Sequence, residues 1–184
     1  MKSYNLFHIR PLVAGDIPAV VQIEQASRPS PWSTSQFSAE LSNTNSWPLV
    51  LINTQNEYLI GYVIPWIVAG EIQIQNIVIA QAHRGQRLGK LLLNVALTAG
   101  LNAGCDQAIL EVRKSNQAAI SLYQQYQFEI VGRRENYYHD GETALLMTAG
   151  PFAIKADLVK YREFVSKKTT ELQDKLQFQV VNHP

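Results

Sequence analysis

Residues 73–97 constrain this chain more than any other stretch, because they read as a strand, a polar turn and a helix in direct succession. Gln73-Ile74-Gln75-Asn76-Ile77-Val78-Ile79 has the apolar, β-branched content of a strand. The turn His83-Arg84-Gly85-Gln86-Arg87-Leu88-Gly89-Lys90 follows, and Leu91-Leu92-Leu93-Asn94-Val95-Ala96-Leu97 carries it into a helix. Backbone amides that converge just before a helix N-terminus make a site for phosphate. A nucleoside-triphosphate P-loop is excluded. Gly85 and Gly89 have three residues between them, where that loop needs four, and Leu91 stands where a magnesium-binding hydroxyl belongs.

Around this centre the chain alternates short strands and helices. Leu6 to Arg10 reads as a first strand. Asp16-Ile17-Pro18 starts a helix, with Asp16 as N-cap and proline in the first turn. Ser33 and Gln36 form a capping box for a second helix reaching about Leu41. Strands are expected over 49–54, 58–68 (irregular at Pro65) and 72–79. A helix over 88–101 stops at Gly104. A short buried strand spans 107–112, and Asn116 caps a helix running to about Tyr126. Residues 128–134 and 143–148 pair as a hairpin around Asp140-Gly141. The pattern predicts an α+β (mixed α/β) class.

Composition narrows the function classes. A chain of 184 residues suits one good core. A net charge of +1 gives no case for bulk nucleic-acid binding. Cys105 is the single cysteine, so no intrachain disulfide can form, and no histidine–cysteine cluster has metal spacing; the expected metal content is none. No apolar run approaches the roughly 18 residues needed to span a bilayer, and the N-terminus lacks a signal-peptide core. The expectation is a cytoplasmic protein.

Several segments carry a resemblance to a known family. They are Pro31-Trp32-Ser33, Asn76 to Ile79, Arg84 to Lys90, Glu111-Val112-Arg113, Ser115-Asn116, Ala119-Ile120, Leu122-Tyr123 and Arg133-Arg134-Glu135-Asn136-Tyr137-Tyr138. Together they resemble the GCN5-related N-acetyltransferases (GNAT), and within them the bacterial ribosomal-protein-alanine N-acetyltransferases. The resemblance covers roughly residues 5–148. It implies a central twisted mixed sheet, splayed at an acetyl-CoA site and flanked by helices. It divides the chain into an acetyltransferase domain over 1–149 and a C-terminal amphipathic helical extension over 150–184.

The resemblance also implies residue roles. The main chain of Ile77, Val78 and Ile79 would hold the acetyl carbonyl and pantetheine arm. The amides of Arg84, Gly85, Gln86, Arg87, Leu88, Gly89 and Lys90 would hold the diphosphate, with Asn116 as a further coenzyme contact. Here Arg87 replaces the first motif glycine. A side chain at a position needing positive φ costs about 1 kcal/mol, while its guanidinium can add a charge-assisted phosphate contact.

Glu111 interrupts an otherwise apolar strand. It reads either as an ion pair with Arg113 or Arg133 or, from the resemblance, as the general base that deprotonates an α-ammonium with a pKa of about 8. Tyr123 reads as a core aromatic or, from the resemblance, as the general acid toward the departing thiolate. Trp32, Tyr137 and Tyr138 would shape the acceptor groove.

The implied function is direct acetyl transfer in a ternary complex from acetyl-CoA to the N-terminal α-amine of a protein, above all a ribosomal protein beginning with Ala or Ser. Cys105, with no base beside it in the sequence, is a poor covalent carrier. The rivals are a small-amine or antibiotic N-acetyltransferase and a non-catalytic acyl-CoA-binding module, and the latter would need neither Glu111 nor Tyr123. No direct nucleic-acid or membrane partner is expected.

The tail carries an apolar stripe, Ile154, Leu158, Tyr161, Val165, Leu172 and Leu176, broken at Lys167-Lys168. One helix or two, packed on the domain or on a second copy in a homodimer, would satisfy it. The lysines read as a solvated face. Truncation after Gly150 is expected to lower stability and spare acetyl-CoA binding.

Overall fold

The computed structural model describes residues 6–152 and 155–181. In chain order the elements are β1 (Phe7–Pro11), α1 (Ile17–Gln25), α2 (Thr34–Glu40), β2 (Leu49–Asn53), β3 (Tyr58–Val68) and β4 (Glu71–Ile79). They continue as α3 (Leu88–Asn102), β5 (Gln107–Arg113), α4 (Gln117–Gln124), β6 (Glu129–Arg134), β7 (Ala144–Ala149), α5 (Lys155–Leu176) and β8 (Phe178–Val180). The strands form one mixed sheet in the order β6-β7-β5-β4-β3-β2-β1-β8, with β4–β5 and β1–β8 parallel.

Strand alternation sorts the core into two clusters. Leu49 and Leu51 of β2 join Leu92, Leu97 and the other buried residues of α3. Val50 and Ile52 face the other way, with Val20 of α1 and Phe37 of α2. The Ser33–Gln36 capping box forms as the sequence predicts, Gln36 N donating to Ser33 Oγ and Ser33 N to Gln36 Oε1. Asp16 does not cap α1 with its side chain. Its carboxylate instead accepts from Val13 N and the Arg10 guanidinium, which closes a 3-10 turn ahead of the helix.

The irregularity at Pro65 is a β-bulge. The register steps from Ile64↔Asn76 to Pro65↔Ile74, which leaves Gln75 as the extra residue. Proline has no N–H to give the ladder, so the disruption falls where a donor is already missing. One extra residue also reverses the alternation. Ile72 and Ile74 belong to the α3 core before the bulge, and Ile77 and Ile79 after it. Pairing of β4 with β5 ends at Ile74↔Leu110, although both strands run on. From that point they part.

Two expected elements have different bounds. α4 stops at Gln124, so Tyr126 is buried just beyond the helix. The β6–β7 pair forms, but a nine-residue loop (135–143) joins it, with Asp140-Gly141 at its bend. In that loop Gly141 N donates to Tyr138 O and Tyr138 N to Glu142 O, so the bend is local and lies beyond the last strand pair, Arg134↔Ala144.

The tail is one helix, α5, followed by a short strand that adds to β1. Tyr161, Val165, Leu172, Leu176 and Phe178 lie in the same core cluster as α3. Full burial of such a side chain is worth roughly 1.5–3 kcal/mol. Thr169 accepts from Asn94 Nδ2 at 2.6 Å, and Tyr161 Oη donates to Tyr126 O at 3.1 Å. The break at Lys167-Lys168 leaves the helix intact, with Thr169 turned to α3. Ile154 falls outside the described residues.

Candidate active site

The parting of β4 from β5 sets the site. In an antiparallel ladder, successive residues alternate between bonding the neighbour strand and facing away from it. Ala80 N donates to Ile60 O, which places Val78 and Asn76 in the bonded phase with β3. Ile77 and Ile79 therefore turn their N–H and C=O groups into the opening. Of the three expected main-chain contacts, the register aims these two at the cleft and commits Val78 to β3, its side chain packed in the α1 core.

Two arginines reach the same edge. Arg28 Nη2 donates to Ile77 O at 3.4 Å and to Asn76 Oδ1 at 2.5 Å. Arg84 Nε donates to Ile79 O at 3.1 Å and its Nη2 to Ser27 Oγ at 3.0 Å. The Arg84 side chain thus ties the turn to β4 and to the end of α1, and its N–H donates to Gln81 O, so Arg84 braces the turn and its amide is not among the free donors of the cradle.

The cradle has the expected form. Gly85 has φ 77° and Arg87 φ 65°, ψ 7°, both left-handed. Arg87 accordingly occupies a conformation that favours glycine, at about 1–2 kcal/mol for an L side chain. α3 begins with no side-chain cap. The N–H groups of Gln86, Arg87, Leu88, Gly89 and Lys90 meet no acceptor among the described residues. Orphan donors at a helix start, aided by its dipole, fit a diphosphate. Gly89 faces Leu122 on α4, close enough that a Cβ would lie 3.5 Å from Leu122 Cδ2. Asn116 caps α4, its Oδ1 accepting from Ala119 N at 3.2 Å.

Glu111 is the first β5 residue past the parting point, a quarter exposed. Its ion-pair partner is Arg134 at 2.6 Å, not the Arg113 or Arg133 expected from sequence. The same carboxylate raises the neighbouring Tyr137 phenol. Arg113 is occupied elsewhere: it pairs with Asp140 at 2.8 Å and Glu142 at 2.7 Å and lies 3.9 Å over the Tyr138 ring. Glu142 also accepts from Ser115 N, and these partners hold its carboxyl down at about 2. The clasp docks the 135–143 loop beside β5, so Tyr137 and Tyr138 sit at the cleft.

Tyr123 is buried, its ring 5.9 Å from Phe128. Burial pushes its phenol up to about 12, with the Arg28 charge acting in the opposite direction and Tyr138 adding to the rise. Arg28 and Tyr138 thus share an electrostatic neighbourhood with Tyr123, and Tyr138 shares one with Glu111. Glu111 and the Ile77–Ile79 edge thus lie on the two strands that part, while Tyr123 is buried on α4 next to Leu122, which faces Gly89 of the cradle.

Sequence reasoning missed what lies beneath it. Glu24 is fully buried and accepts from Tyr62 Oη (2.5 Å), Asn76 Nδ2 (3.3 Å) and Trp32 N (3.2 Å), and Arg28 Nε pairs with it at 3.3 Å. A buried carboxylate needs such partners. The network fixes the loop bearing Trp32 to α1, with the Trp32 ring packed on Phe37 of α2. The signal available was a glutamate directly after Val20-Val21-Gln22-Ile23, one helical turn on from Val20 and so on the same face.

Comparison with known proteins agrees with this geometry. Residues 17–128 match the Acetyltransferase (GNAT) family. The chain is 33% identical over 148 residues to the [ribosomal protein bS18]-alanine N-acetyltransferase of Escherichia coli (strain K12), covering 79% of this chain and 98% of that one. It is 38% identical over 140 residues to a Bacillus subtilis (strain 168) protein provisionally given the same name, covering 76% and 92%. The crystal structure of the ribosomal-protein-S18-alanine N-acetyltransferase from Escherichia coli superposes with a TM-score of 0.70 at 32% identity, over 80% of this chain and 99% of that one. With its splayed sheet, its uncapped cradle and a match over more than half its length, the chain belongs to the GNAT family of acetyltransferases.

Proposed function

We propose that the protein transfers the acetyl group of acetyl-CoA to the N-terminal α-amine of a ribosomal protein beginning with Ala or Ser, with bS18 as first candidate. The observation that supports the reading is the end of β4–β5 pairing at Ile74↔Leu110, which leaves Glu111 as the first β5 residue past the parting, opposite the β4 edge where Ile77 and Ile79 turn their main-chain groups away from β3. Relatives named for bS18 acetylation at 33–38% identity support the acceptor.

The co-substrate supplies an activated thioester, and the chain's own groups do the rest. Amides of residues 86–90 would hold the diphosphate end, with Asn116 beside them. An amide of Ile77 or Ile79 would face the carbonyl oxygen as negative charge develops there. Glu111, directly or through water, would take the proton that the α-ammonium must lose before it attacks. Tyr123, protonated at neutral pH, would give its proton to the departing thiolate and regain one from the second N–H of the attacking nitrogen, through water, so that a neutral amide and a CoA thiol form and Glu111 releases the one net proton to solvent. Tyr137 and Tyr138 would line the acceptor side. Such a substrate places the enzyme with ribosomes in the cytoplasm.

The test is mass spectrometry of ribosomal proteins from a strain lacking this chain, with purified protein added back to peptides bearing the same N-termini. Loss of N-terminal acetylation on one small-subunit protein, restored in vitro, is the expected result. An unchanged ribosomal profile, with acetylation of free polyamines or aminoglycosides instead, would replace the acceptor.

A further inference from the structure

A cavity of about 140 Å³ opens where α5 passes the start of α3 and the end of α4. Its walls carry Arg87 and Lys90 from the cradle, Lys168 and Lys175 from α5, and a single carboxylate, Glu171. Glu171 pairs with Lys168 at 3.1 Å. Arg87, Lys90 and Lys175 have no ion-pair partner among the described residues. Four cations around one carboxylate, in a chain whose net charge is +1, form a local concentration of positive charge that an anion would neutralise.

The walls are fixed. Tyr126 Oη donates to Lys90 O at 3.1 Å, and Tyr161 Oη donates to Tyr126 O at 3.1 Å, so α3, the end of α4 and α5 are tied together beside the cavity. Lys168 holds the slot between Val165 and Leu172 where the apolar stripe would continue. It is one-third exposed, and its ammonium lies 5.6 Å from the Phe164 ring. A lysine on the inward side of a helix is not a solvated face.

We infer that α5 completes the coenzyme site: Lys168 and Lys175, with the side chains of Arg87 and Lys90, form a subsite for the 3′-phosphate of the coenzyme's adenosine. This rests on the acetyl-CoA reading above. The coenzyme carries its diphosphate and its 3′-phosphate on one nucleoside, and Arg87 and Lys90 belong to both the amide cradle and the cavity. The aligned shares of the bS18 relatives, 76–79% of this chain, end before Lys168 if they hold the family-matched residues 17–128. The two lysines thus lie beyond the stretch this chain shares with those two relatives.

The experiment is calorimetric titration of the full-length protein with CoA and with 3′-dephospho-CoA, at low and high salt. Lys168→Gln/Lys175→Gln is titrated alongside the wild type, and Lys175→Gln alone, at an exposed position, guards against a folding defect. Wild type should prefer CoA by roughly tenfold or more, as charge-assisted contacts to a phosphate imply. The preference should shrink in the double variant and at high salt, with 3′-dephospho-CoA affinity unchanged. Equal binding of the two ligands by wild type, or a preference that survives in the double variant, overturns the inference and leaves the acetyl-CoA reading standing. Binding of neither ligand overturns that reading as well. Inorganic phosphate that binds without competing with CoA would mark an independent anion site and also overturn the assignment.

Discussion

At the residue scale, burial sets what Tyr123 can do. A phenol pushed up to about 12 by burial holds its proton through the whole physiological range. Tyr123→Phe should lower kcat by about 10²- to 10⁴-fold, with little change in acetyl-CoA affinity; unchanged turnover on a true acceptor would remove Tyr123 from the mechanism. In the wild type, no alkaline loss of rate from Tyr123 should appear until the pH approaches 12. Glu111→Gln should slow transfer most at low pH, where the acceptor amine is protonated and the base most needed. Steady-state pH profiles of both variants check the pair. Arg87→Gly relieves a left-handed side chain worth about 1 kcal/mol and adds freedom to the unfolded chain. These oppose, so stability should move by less than about 1 kcal/mol, while acetyl-CoA binding weakens in a way that narrows at high salt. Tighter binding by the glycine variant would show that Arg87 obstructs the cradle. Glu111 stood out in the sequence because it interrupts an apolar strand, whereas Tyr123 stood out only through the family resemblance, its own pattern being that of a core aromatic. Arg28, in a loop that otherwise reads as a connection, did not stand out.

At the element scale, the bulge at Gln75 makes the cleft, and α3 depends on how closely it approaches β4. A Cβ on Gly100 would lie 2.0 Å from Ile72 Cγ1, and both residues are buried. Alanine gains about 1 kcal/mol of helix propensity, but overpacking a core costs about 1–3 kcal/mol. Packing wins. Gly100→Ala should lower the urea midpoint, and a higher midpoint would show that the helix can shift freely. The loop clasp is an element-scale device too. Glu142 is held at about 2, below its ordinary value of 4.5. A depressed carboxylate contributes its stabilisation in full above the unfolded pKa and loses it as pH falls through the folded one. The 135–143 loop should therefore loosen between about pH 4.5 and 2, read as rising hydrogen exchange there ahead of global unfolding. Simultaneous exchange everywhere would deny the loop a separate transition. The turn at Asp140-Gly141 was visible in sequence, but its span was not, because Arg113, outside the loop, holds it through Asp140 and Glu142.

At the scale of the whole molecule, α5 and β8 are part of the core. Removing everything after Gly150 would strip Tyr161, Val165, Leu172, Leu176 and Phe178 from it. At roughly 1.5–3 kcal/mol each, that approaches or exceeds the 5–15 kcal/mol by which most domains are stable. The expected result is an unfolded or aggregated truncation, in place of the binding-competent one suggested by sequence; a cooperative melt of the truncated chain would contradict it. Burial also raises Tyr62, Tyr126 and Tyr161 along with Tyr123. Groups raised above their unfolded value near 10 stabilise fully below that pH and cease to do so as it climbs. Melting temperature should thus fall steeply above pH 10, and a flat profile to pH 11.5 would refute this. The sequence by itself determined the seven strands and four helices before residue 150, the capping box and the break at Pro65, but not β8 or the single span of α5. Each depends on residues within a turn or two of one another, whose φ/ψ and donor counts the local chain dictates. Only tertiary structure decided that Arg28 meets Asn76 across 48 residues, that Glu111 pairs with Arg134, and that Lys168 faces Arg87. Those meetings depend on how far β4 and β5 diverge and where α5 crosses α3, which packing of the whole core sets.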